Sequence, residues 1–406
     1  MSVRRLLLVT HRSIEQDGGP AARWRAFSRY LPEHGWELDV LCAAERPGAS
    51  EFDARAARAV AARAGMTARL ARLSVPAFRL AGVRPDALPL SMLWVPRGAR
   101  LVRRGVKERP PDAVLATGPP IAGPLAARLG VPDAVPLIVE LRDLWAGSPA
   151  FDAGGRLLGA VESWMLGRAR RVVACTPEAV ADLRARHPEL AERVVEISNG
   201  FDPQVLSLAR ADGIEAQSKE SSSRPLTLLH SGTLTPARPI APLLKALRDP
   251  RVAGSFRLVL HGYLSPATRA EIDQARREHG PAVAVLAPSP WEQAVARIAA
   301  ADACLIAQAR EAGDETAIAS KVFEYLALGR PVVCVTDGGA TEALLRRLGV
   351  GDLCARLEQP ESIVGALLRL RDRTGSLPPP ELLKPYSRRA LAGSMAELLD
   401  EVVAGG

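Results

Sequence analysis

Short apolar runs rich in β-branched residues alternate with longer stretches rich in Ala, Leu and Arg along the whole chain. This alternation predicts parallel β-sheets covered by helices, because buried parallel strands read as short apolar runs and the crossovers between them are usually helical. In the first half of the chain the predicted strands are 6–10, 37–42, 113–117, 136–141, 172–175 and 194–197. In the second half they are 226–230, 257–261, 283–286, 303–307 and 331–335. The fold class is therefore predicted to be α/β with two parallel sheets.

A polar, serine-rich segment without hydrophobic periodicity, residues 209–224, separates the two groups of strands. Such a composition is typical of a linker. Near the other end, the breaker run 377–380 precedes a helical pattern over 387–403. We therefore expect an N-terminal domain over 1–208, a linker over 209–225, a second domain over 226–385 and a C-terminal helix within 386–406.

Composition and length place the protein among ordinary globular proteins. The 406 residues are 48% hydrophobic and 24% charged, which is enough for two or three domains with buried cores. No apolar run approaches the roughly 18 residues of a membrane-spanning helix. The opening apolar run is short and is followed at once by polar residues, unlike a signal peptide. A cytoplasmic location is expected.

Five widely spaced cysteines, without a C-x-x-C pair, favour buried reduced thiols over a disulfide or zinc framework. The positive charge is concentrated in one segment. Residues 51–109 hold thirteen Lys and Arg against four Asp and Glu, a net +9, whereas the whole chain carries +8. This segment is either the solvated face of arginine-rich helices or a peripheral contact with an anionic membrane. Nucleic acid is not expected as a partner, because no aromatic residues are interleaved with the basic ones in the manner of nucleic-acid-binding motifs.

Several classes of enzyme are disfavoured because the sequence lacks their characteristic motifs. The sequence contains no G-x-x-x-x-G-K-[ST], G-x-G-x-x-G, H-E-x-x-H or G-x-S-x-G motif. It also contains no D-x-D pair, the usual carboxylate pair that holds a metal-bound diphosphate. A diphosphate bound without metal would need cationic side chains and backbone N–H groups.

Several segments that follow predicted strands carry a recognisable combination of residues. They are 7–11 with 17–20 (DGGP) and Arg23, 117–120 (TGPP), 139–145 (VELRDLW), 173–176, 197–202 (ISNGFD), 229–234 (LHSGTL) with Arg238, and 320–334 (SKVFEYLALGRPVVC). Together they resemble the retaining, family-4-like glycosyltransferases of the GT-B fold. The most specific segment is 320–334, where Lys321 and Glu324 open a predicted helix at a spacing of three and so share one face.

The resemblance implies two Rossmann-like domains that face a cleft, with a C-terminal helix crossing back to the first domain. It implies a nucleoside-diphosphate sugar bound by the second domain, an acceptor bound by the first, retention of stereochemistry, and neither metal nor cofactor. The expected donor-binding residues are Gly18, Gly19, Gly232, Thr233, Arg238, Lys321 and Glu324. Arg238 and Lys321 would clamp the diphosphate, and Glu324 would bind the ribose. The expected acceptor-side residues are Arg142, Asp143 and Trp145, and the catalytic candidates are Asp143, His11, Arg238 and Lys321.

Two positions depart from the family pattern. Thr316 stands where the family often has the first of two glutamates, with Glu315 one residue away, and Thr233 stands where an arginine is common. Two alternatives to a transferase therefore stay open: a GT-B sugar-nucleotide epimerase, and a catalytically degenerate GT-B subunit that only binds its ligand. The acceptor is expected to be a saccharide, a lipid-linked glycan or a natural-product aglycone.

Overall fold

The computed structural model describes residues 3–15, 19–43, 57–61, 90–145, 155–211, 224–236, 238–279, 282–308, 315–372 and 376–405. It divides into two compact units, one formed by Met1–Ser198 with Arg388–Gly406 and the other by Asn199–Ser387. Gly18 lies outside the described residues, as does the part of the basic segment over 51–56 and 62–89.

The first unit is built around a seven-stranded parallel sheet in the order β3-β2-β1-β4-β5-β6-β7. The strands are β1 (Arg4–Val9), β2 (Trp36–Cys42), β3 (Ala57–Ala61), β4 (Ala113–Gly118), β5 (Leu137–Leu141), β6 (Arg171–Ala174) and β7 (Val194–Glu196). The order reverses direction between β1 and β4. In open α/β sheets this is the switch point, outside whose carboxyl ends ligands bind.

Helices cover both faces of this sheet. They are α1 (Gly19–Tyr30), α2 (Val95–Glu108), α3 (Ala122–Gly130), α4 (Gly155–Leu166), α5 (Pro177–Arg186) and, from the other end of the sequence, α14 (Arg388–Ala404). The apolar side of α14 joins the core of this unit through Leu391, Met395 and Leu399. Its Asp400 accepts hydrogen bonds from Trp36 Nε1 at 2.8 Å and from Arg4. The last helix therefore completes one face of the first sheet.

The second unit contains a six-stranded parallel sheet in the order β10-β9-β8-β11-β12-β13. The strands are β8 (Leu226–Ser231), β9 (Phe256–His261), β10 (Val283–Leu286), β11 (Ala303–Gln308), β12 (Val332–Thr336) and β13 (Cys354–Ala355). Its switch point lies between β8 and β11.

The helices of the second unit enclose two cores, one on each face of the sheet. They are α6 (Gln204–Ala211), α7 (Ala241–Ala246), α8 (Pro266–His279), α9 (Trp291–Ala300), α10 (Lys321–Ala327), α11 (Ala340–Arg347), α12 (Pro360–Arg371) and α13 (Pro380–Leu383). Helix α6 begins inside the expected first domain of 1–208 and ends in the expected linker of 209–225, but the structure groups it with the second unit. The reason is apolar packing, since its Val205 is fully buried in the same core as Val295 and Ile298 of α9.

The two-sheet α/β architecture is confirmed, with every predicted strand present within a few residues. The pattern missed β3 and β13. All five cysteines lie among the described residues and none forms a disulfide; Cys334 and Cys354 stand opposite each other on β12 and β13. Within the described ranges, no helix is both long and apolar enough to cross a membrane.

Candidate functional site

The carboxyl end of β8 continues into a tight glycine turn that presses against the end of β9. Gly232 follows β8 with φ +154°, and its N–H donates to the carbonyl of His261 at 2.8 Å. Gly262 has φ +128°, and a Cβ placed there would lie 2.1 Å from the carbonyl oxygen of Gly232. Only glycine fits at such an approach of two backbones. The residue that follows each of these two strands therefore has no side chain.

Two histidines lie at these strand ends with different surroundings. His230, on β8, is 7% exposed, and its Nδ1 lies 3.1 Å from the carbonyl oxygen of Leu305 on β11. His261, on β9, contacts a hydroxyl at each ring nitrogen, with Ser231 Oγ 3.0 Å from Nδ1 and Ser289 Oγ 2.9 Å from Nε2. The two imidazoles therefore line the switch point of the second sheet.

Burial lowers the pKa of His230 to about 4, with further lowering by the positive charges of Arg238 and Lys321, against the opposing hydrogen bond to the Leu305 carbonyl. Burial and the charges of Arg297 and Lys321 also lower the pKa of His261. Both rings are therefore neutral at pH 7.

The loop after the glycine turn holds Arg238 in place. Its guanidinium donates to the carbonyl of Thr233 at 2.9 Å, and its backbone N–H donates to Thr235 at 2.8 Å. Thr233 itself is exposed. Arg238 is thus a half-buried cation on the loop that follows β8. Thr233 holds it through the backbone carbonyl.

Helix α10 begins at Lys321, and the structure pairs this lysine with the glutamate three residues later. Lys321 Nζ lies 3.0 Å from Glu324 Oε2, with 36% of the lysine side chain and 7% of the glutamate side chain exposed. Tyr325, next on the helix, accepts a hydrogen bond from the backbone N–H of Ser231 at 2.9 Å. That contact fixes the start of α10 against the end of β8. The structure therefore brings Gly232, Arg238, Lys321 and Glu324 to one edge of the second sheet.

A second carboxylate at this sheet edge was not among the predicted site residues. Glu342, near the start of α11, is 5% exposed and is bound by two arginines, Arg346 at 2.7 Å and Arg356 at 2.6 Å. Its arginine partners come from positions with no motif of their own. Thr316 and Glu315 lie just before α10, and the Glu315 carbonyl accepts a hydrogen bond from Ala340 at 2.9 Å.

The predicted acceptor-side residues, Arg142, Asp143 and Trp145, follow the carboxyl end of β5 in the first unit. Arg142 Nε donates to Thr117 Oγ1 at 3.2 Å, and another of its nitrogens donates to the Pro119 carbonyl. Burial lowers the pKa of Arg142, while the charge of Glu140 raises it. Arg142 therefore ties β5 to the loop after β4. Asp143 beside it is exposed and Trp145 is buried.

His11 follows β1 and is half-buried. Its ring meets that of Trp94 edge-on, with 5.7 Å between centroids. Burial and the charge of Arg12 lower its pKa. Gly19 is the first residue of α1, whereas Gly18 lies outside the described residues.

Behind the first sheet's carboxyl end lies a buried ion pair that sequence reasoning missed. Glu140 is fully buried and accepts hydrogen bonds from Arg23 Nε at 3.0 Å, Trp24 Nε1 at 2.8 Å and Thr117 Oγ1 at 2.5 Å. Arg23 also donates to the carbonyls of Ile197 and Ser198. Burial by itself would raise the pKa of Glu140, but Arg23 and Thr117 outweigh it and lower that pKa. The network holds α1, β4 and β5 together.

In the part of the chain that the structure describes, no three His, Cys, Asp or Glu side chains are grouped in a way that could hold a metal ion.

Comparisons with known proteins agree with this arrangement. Residues 18–200 match the family model described as a glycosyl transferase 4-like domain. A comparison with curated protein sequences found no significant match. Among solved structures, the fold is similar to a glycosyltransferase from Rickettsia africae, at 12% identity and a TM-score of 0.71, with both chains covered over 100% of their length.

Two similar folds were solved with ligands. One is Anabaena HepE in complex with UDP and glucose, at 15% identity and a TM-score of 0.61, over 99% of this chain and 98% of that one. The other is the UDP-forming α,α-trehalose-phosphate synthase of Burkholderia xenovorans in complex with glucose-6-phosphate, at 13% identity and a TM-score of 0.66, over 98% and 100%. The resemblance inferred from the motifs is confirmed: residues 18–200 match a glycosyl transferase 4-like domain, and the whole chain has a fold similar to these GT-B glycosyltransferases.

Proposed function

We propose that the protein transfers a sugar from a UDP-sugar, bound at the carboxyl end of the second sheet, to an acceptor bound by the first unit. The observation that carries the proposal is the grouping of Arg238, Lys321 and Glu324 at the switch point of the second sheet. The choice of UDP as the nucleotide is supported by the fold similarity to HepE, which was solved with UDP and glucose, and to the UDP-forming synthase.

Arg238 and Lys321 would bind the diphosphate and stabilise the charge that grows on the leaving group. Preorganised cations act most strongly on charge that develops in the transition state. In the structure Lys321 is paired with Glu324, and its partly exposed ammonium can exchange that partner for a phosphate oxygen. These two cations would make a metal ion unnecessary.

Glu324 would accept hydrogen bonds from the ribose hydroxyls. Its side chain is largely buried on the first turn of α10, where a carboxylate is also favoured by the helix dipole. A carboxylate can accept hydrogen bonds from two neighbouring hydroxyls, but it repels phosphate. Glu324 therefore has a different role from Lys321.

In the first unit, exposed Asp143 and neutral His11 are the groups available to the acceptor, with Arg142 and Trp145 shaping that side. We propose transfer with retention, as the family resemblance implies. The acceptor class proposed is a saccharide, a lipid-linked glycan or a natural-product aglycone, and the proposed location is the cytoplasm.

We also propose peripheral contact with an anionic membrane through the basic segment. Its described part includes α2, where Arg100, Arg103, Arg104 and Lys107 are exposed and Val102 and Val106 are buried. Glu108 is the only acid on this helix and pairs with Arg104 at 2.6 Å. An exposed face of this composition suits acidic lipid headgroups.

The main test is to incubate the protein with a panel of UDP-sugars and to follow UDP release. Slow donor hydrolysis supports a transferase; sugar interconversion without release supports the epimerase alternative, and binding alone supports a degenerate subunit. Lys321→Ala should lower turnover more than it lowers affinity for the intact donor, because it meets charge that grows during reaction. Glu324→Gln should weaken binding of free UDP instead.

The exposed Lys245 of α7 provides a matched control, and Lys245→Ala should leave both quantities unchanged. Unchanged turnover in Lys321→Ala together with unchanged UDP affinity in Glu324→Gln would show that this sheet edge is not the donor site.

A further inference from the structure

We propose that His230 recognises a hydroxyl group of the sugar being transferred, with its Nε2 as the hydrogen-bond acceptor. The inference rests on the proposed donor site and adds a specificity-determining residue to it. His230 lies within the segment 229–234 that carries part of the family resemblance, but the resemblance assigns it no role.

The position of the ring is fixed by the strand geometry. His230 ends β8, and its Nδ1 lies 3.1 Å from the carbonyl oxygen of Leu305 on β11. A carbonyl oxygen only accepts, so Nδ1 carries the proton and donates it. In the neutral ring Nε2 then presents a lone pair. The bond joins the two strands between which the sheet order reverses, where open α/β sheets bind their ligands.

Nε2 is buried and has no hydrogen-bond partner among the described residues. Buried polar atoms in folded proteins are nearly always paired, and an exception calls for a ligand or a functional reason. His261 on the neighbouring strand shows the contrast, since hydroxyls lie within hydrogen-bond distance of both of its ring nitrogens. Gln308 Oε1, at the end of β11, is another buried acceptor of this sheet edge without a partner among the described residues, so two open acceptors lie on the strands that flank the switch point.

Nε2 lies next to the glycine turn. A Cβ at Gly232 would lie 3.6 Å from Nε2, in van der Waals contact with it, and glycine has none. Arg238 donates to the carbonyl of Thr233 in the turn after β8, and Lys321 begins the helix whose Tyr325 contacts Ser231, so the proposed phosphate clamp lies near the same strand end. A lone pair cannot bind a phosphate oxygen that has lost its protons, because both are acceptors. The partner must be a donor, and the hydroxyls of a sugar next to the diphosphate provide one.

Two variants test the contributions of the two ring nitrogens separately. His230→Asn keeps an N–H donor near the Nδ1 position for the Leu305 carbonyl and removes the acceptor at Nε2. His230→Gln keeps a polar atom near the Nε2 position instead. Each variant is compared with the wild-type protein in calorimetry with UDP and in hydrolysis of UDP-glucose and of its single-deoxy analogues.

We expect His230→Asn to lower kcat/KM for UDP-glucose by about 10- to 100-fold while affinity for UDP changes by less than about 3-fold, because only the hydroxyl contact is lost. His230→Gln should recover part of the loss. One deoxy analogue should be a poor donor for the wild-type protein and no worse than UDP-glucose for His230→Asn, since the contact is already missing.

Equal losses in UDP affinity and in kcat/KM would overturn the inference, because His230 would then only support the fold of the site. The inference would also be overturned if, for every deoxy analogue, the fold-loss in kcat/KM caused by His230→Asn simply multiplied the fold-loss caused by the missing hydroxyl. A wild-type protein that neither binds UDP nor hydrolyses any UDP-sugar would instead refute the proposed donor site itself, and this result is distinguishable because it precedes any comparison of variants.

Discussion

The buried pair of Arg23 and Glu140 makes a quantitative prediction about the stability of the first unit. Arg23→Met keeps most of the side chain's length and removes its charge. The arginine is 2% exposed and the glutamate 0%. Removing one partner of such a pair leaves an uncompensated buried charge, which typically costs 3–5 kcal/mol. Trp24 and Thr117 still donate to the other carboxylate oxygen, so we expect a loss near the lower end, about 3 kcal/mol.

The pH dependence of this loss has a definite sign. In the wild-type protein the pKa of Glu140 is lowered, so its contribution to stability is present above the unfolded pKa and disappears as the pH falls through the folded pKa. Without Arg23, burial is opposed only by the weaker partners and raises that pKa. The destabilisation should therefore shrink between pH 7 and pH 5, as the carboxyl group takes up a proton.

Urea unfolding monitored by tryptophan fluorescence measures the free energy of unfolding of the first unit, because five of the six tryptophans, all but Trp291, belong to that unit. The double variant Arg23→Met/Glu140→Gln should be more stable than Arg23→Met alone. The reasoning is refuted if Arg23→Met costs less than about 1 kcal/mol at pH 7, or if the double variant is no more stable than the single one.

Three further predictions concern the donor site, the glycine turn and the basic helix. EDTA should leave turnover unchanged, because Arg238 and Lys321 supply the positive charge; loss of activity restored by Mg²⁺ or Mn²⁺ would contradict this. Gly262→Ala should cost about 2–4 kcal/mol through backbone contact with Gly232 and its positive φ, whereas Gly254→Ala, with φ +74° and no neighbour within 4 Å, should cost about 1 kcal/mol in calorimetry. In flotation assays, replacing Arg100, Arg103 and Lys107 of α2 by Gln should weaken binding to anionic vesicles by about 1 kcal/mol per charge, and binding that does not depend on lipid charge would argue against the contact.

The strands were predictable because each is a buried apolar run, and the two that were missed lack that signal. Strand β3 reads Ala-Arg-Ala-Val-Ala, a composition as typical of a helix, and β13 has only two residues, defined by pairing with β12. Helix α6 runs into the segment that was expected to be a linker, and nothing in the local sequence shows which core Val205 will enter.

The candidate site was predictable where the chemistry is local in sequence. Lys321 and Glu324 share a helix turn, so their proximity follows from spacing, although their direct pairing does not. Glu140 and Arg23 lie 117 positions apart and meet only because β5 and α1 become neighbours in the fold. His230 lies in the motif segment 229–234, but the sequence does not show that one of its ring nitrogens lacks a partner, because this depends on the turn that follows it and on the strand beside it.

The return of α14 to the first sheet bears on how the protein is made. During synthesis, residues 199–387 emerge from the ribosome before α14 does. The second unit can therefore fold while the first unit is still incomplete. Until α14 emerges, the surface that will receive Leu391, Met395 and Leu399 stays uncovered. A nascent chain stalled before Arg388 would therefore present an apolar surface suited to chaperone binding, and Trp36 and Arg4 would lack Asp400 as a partner until translation finishes.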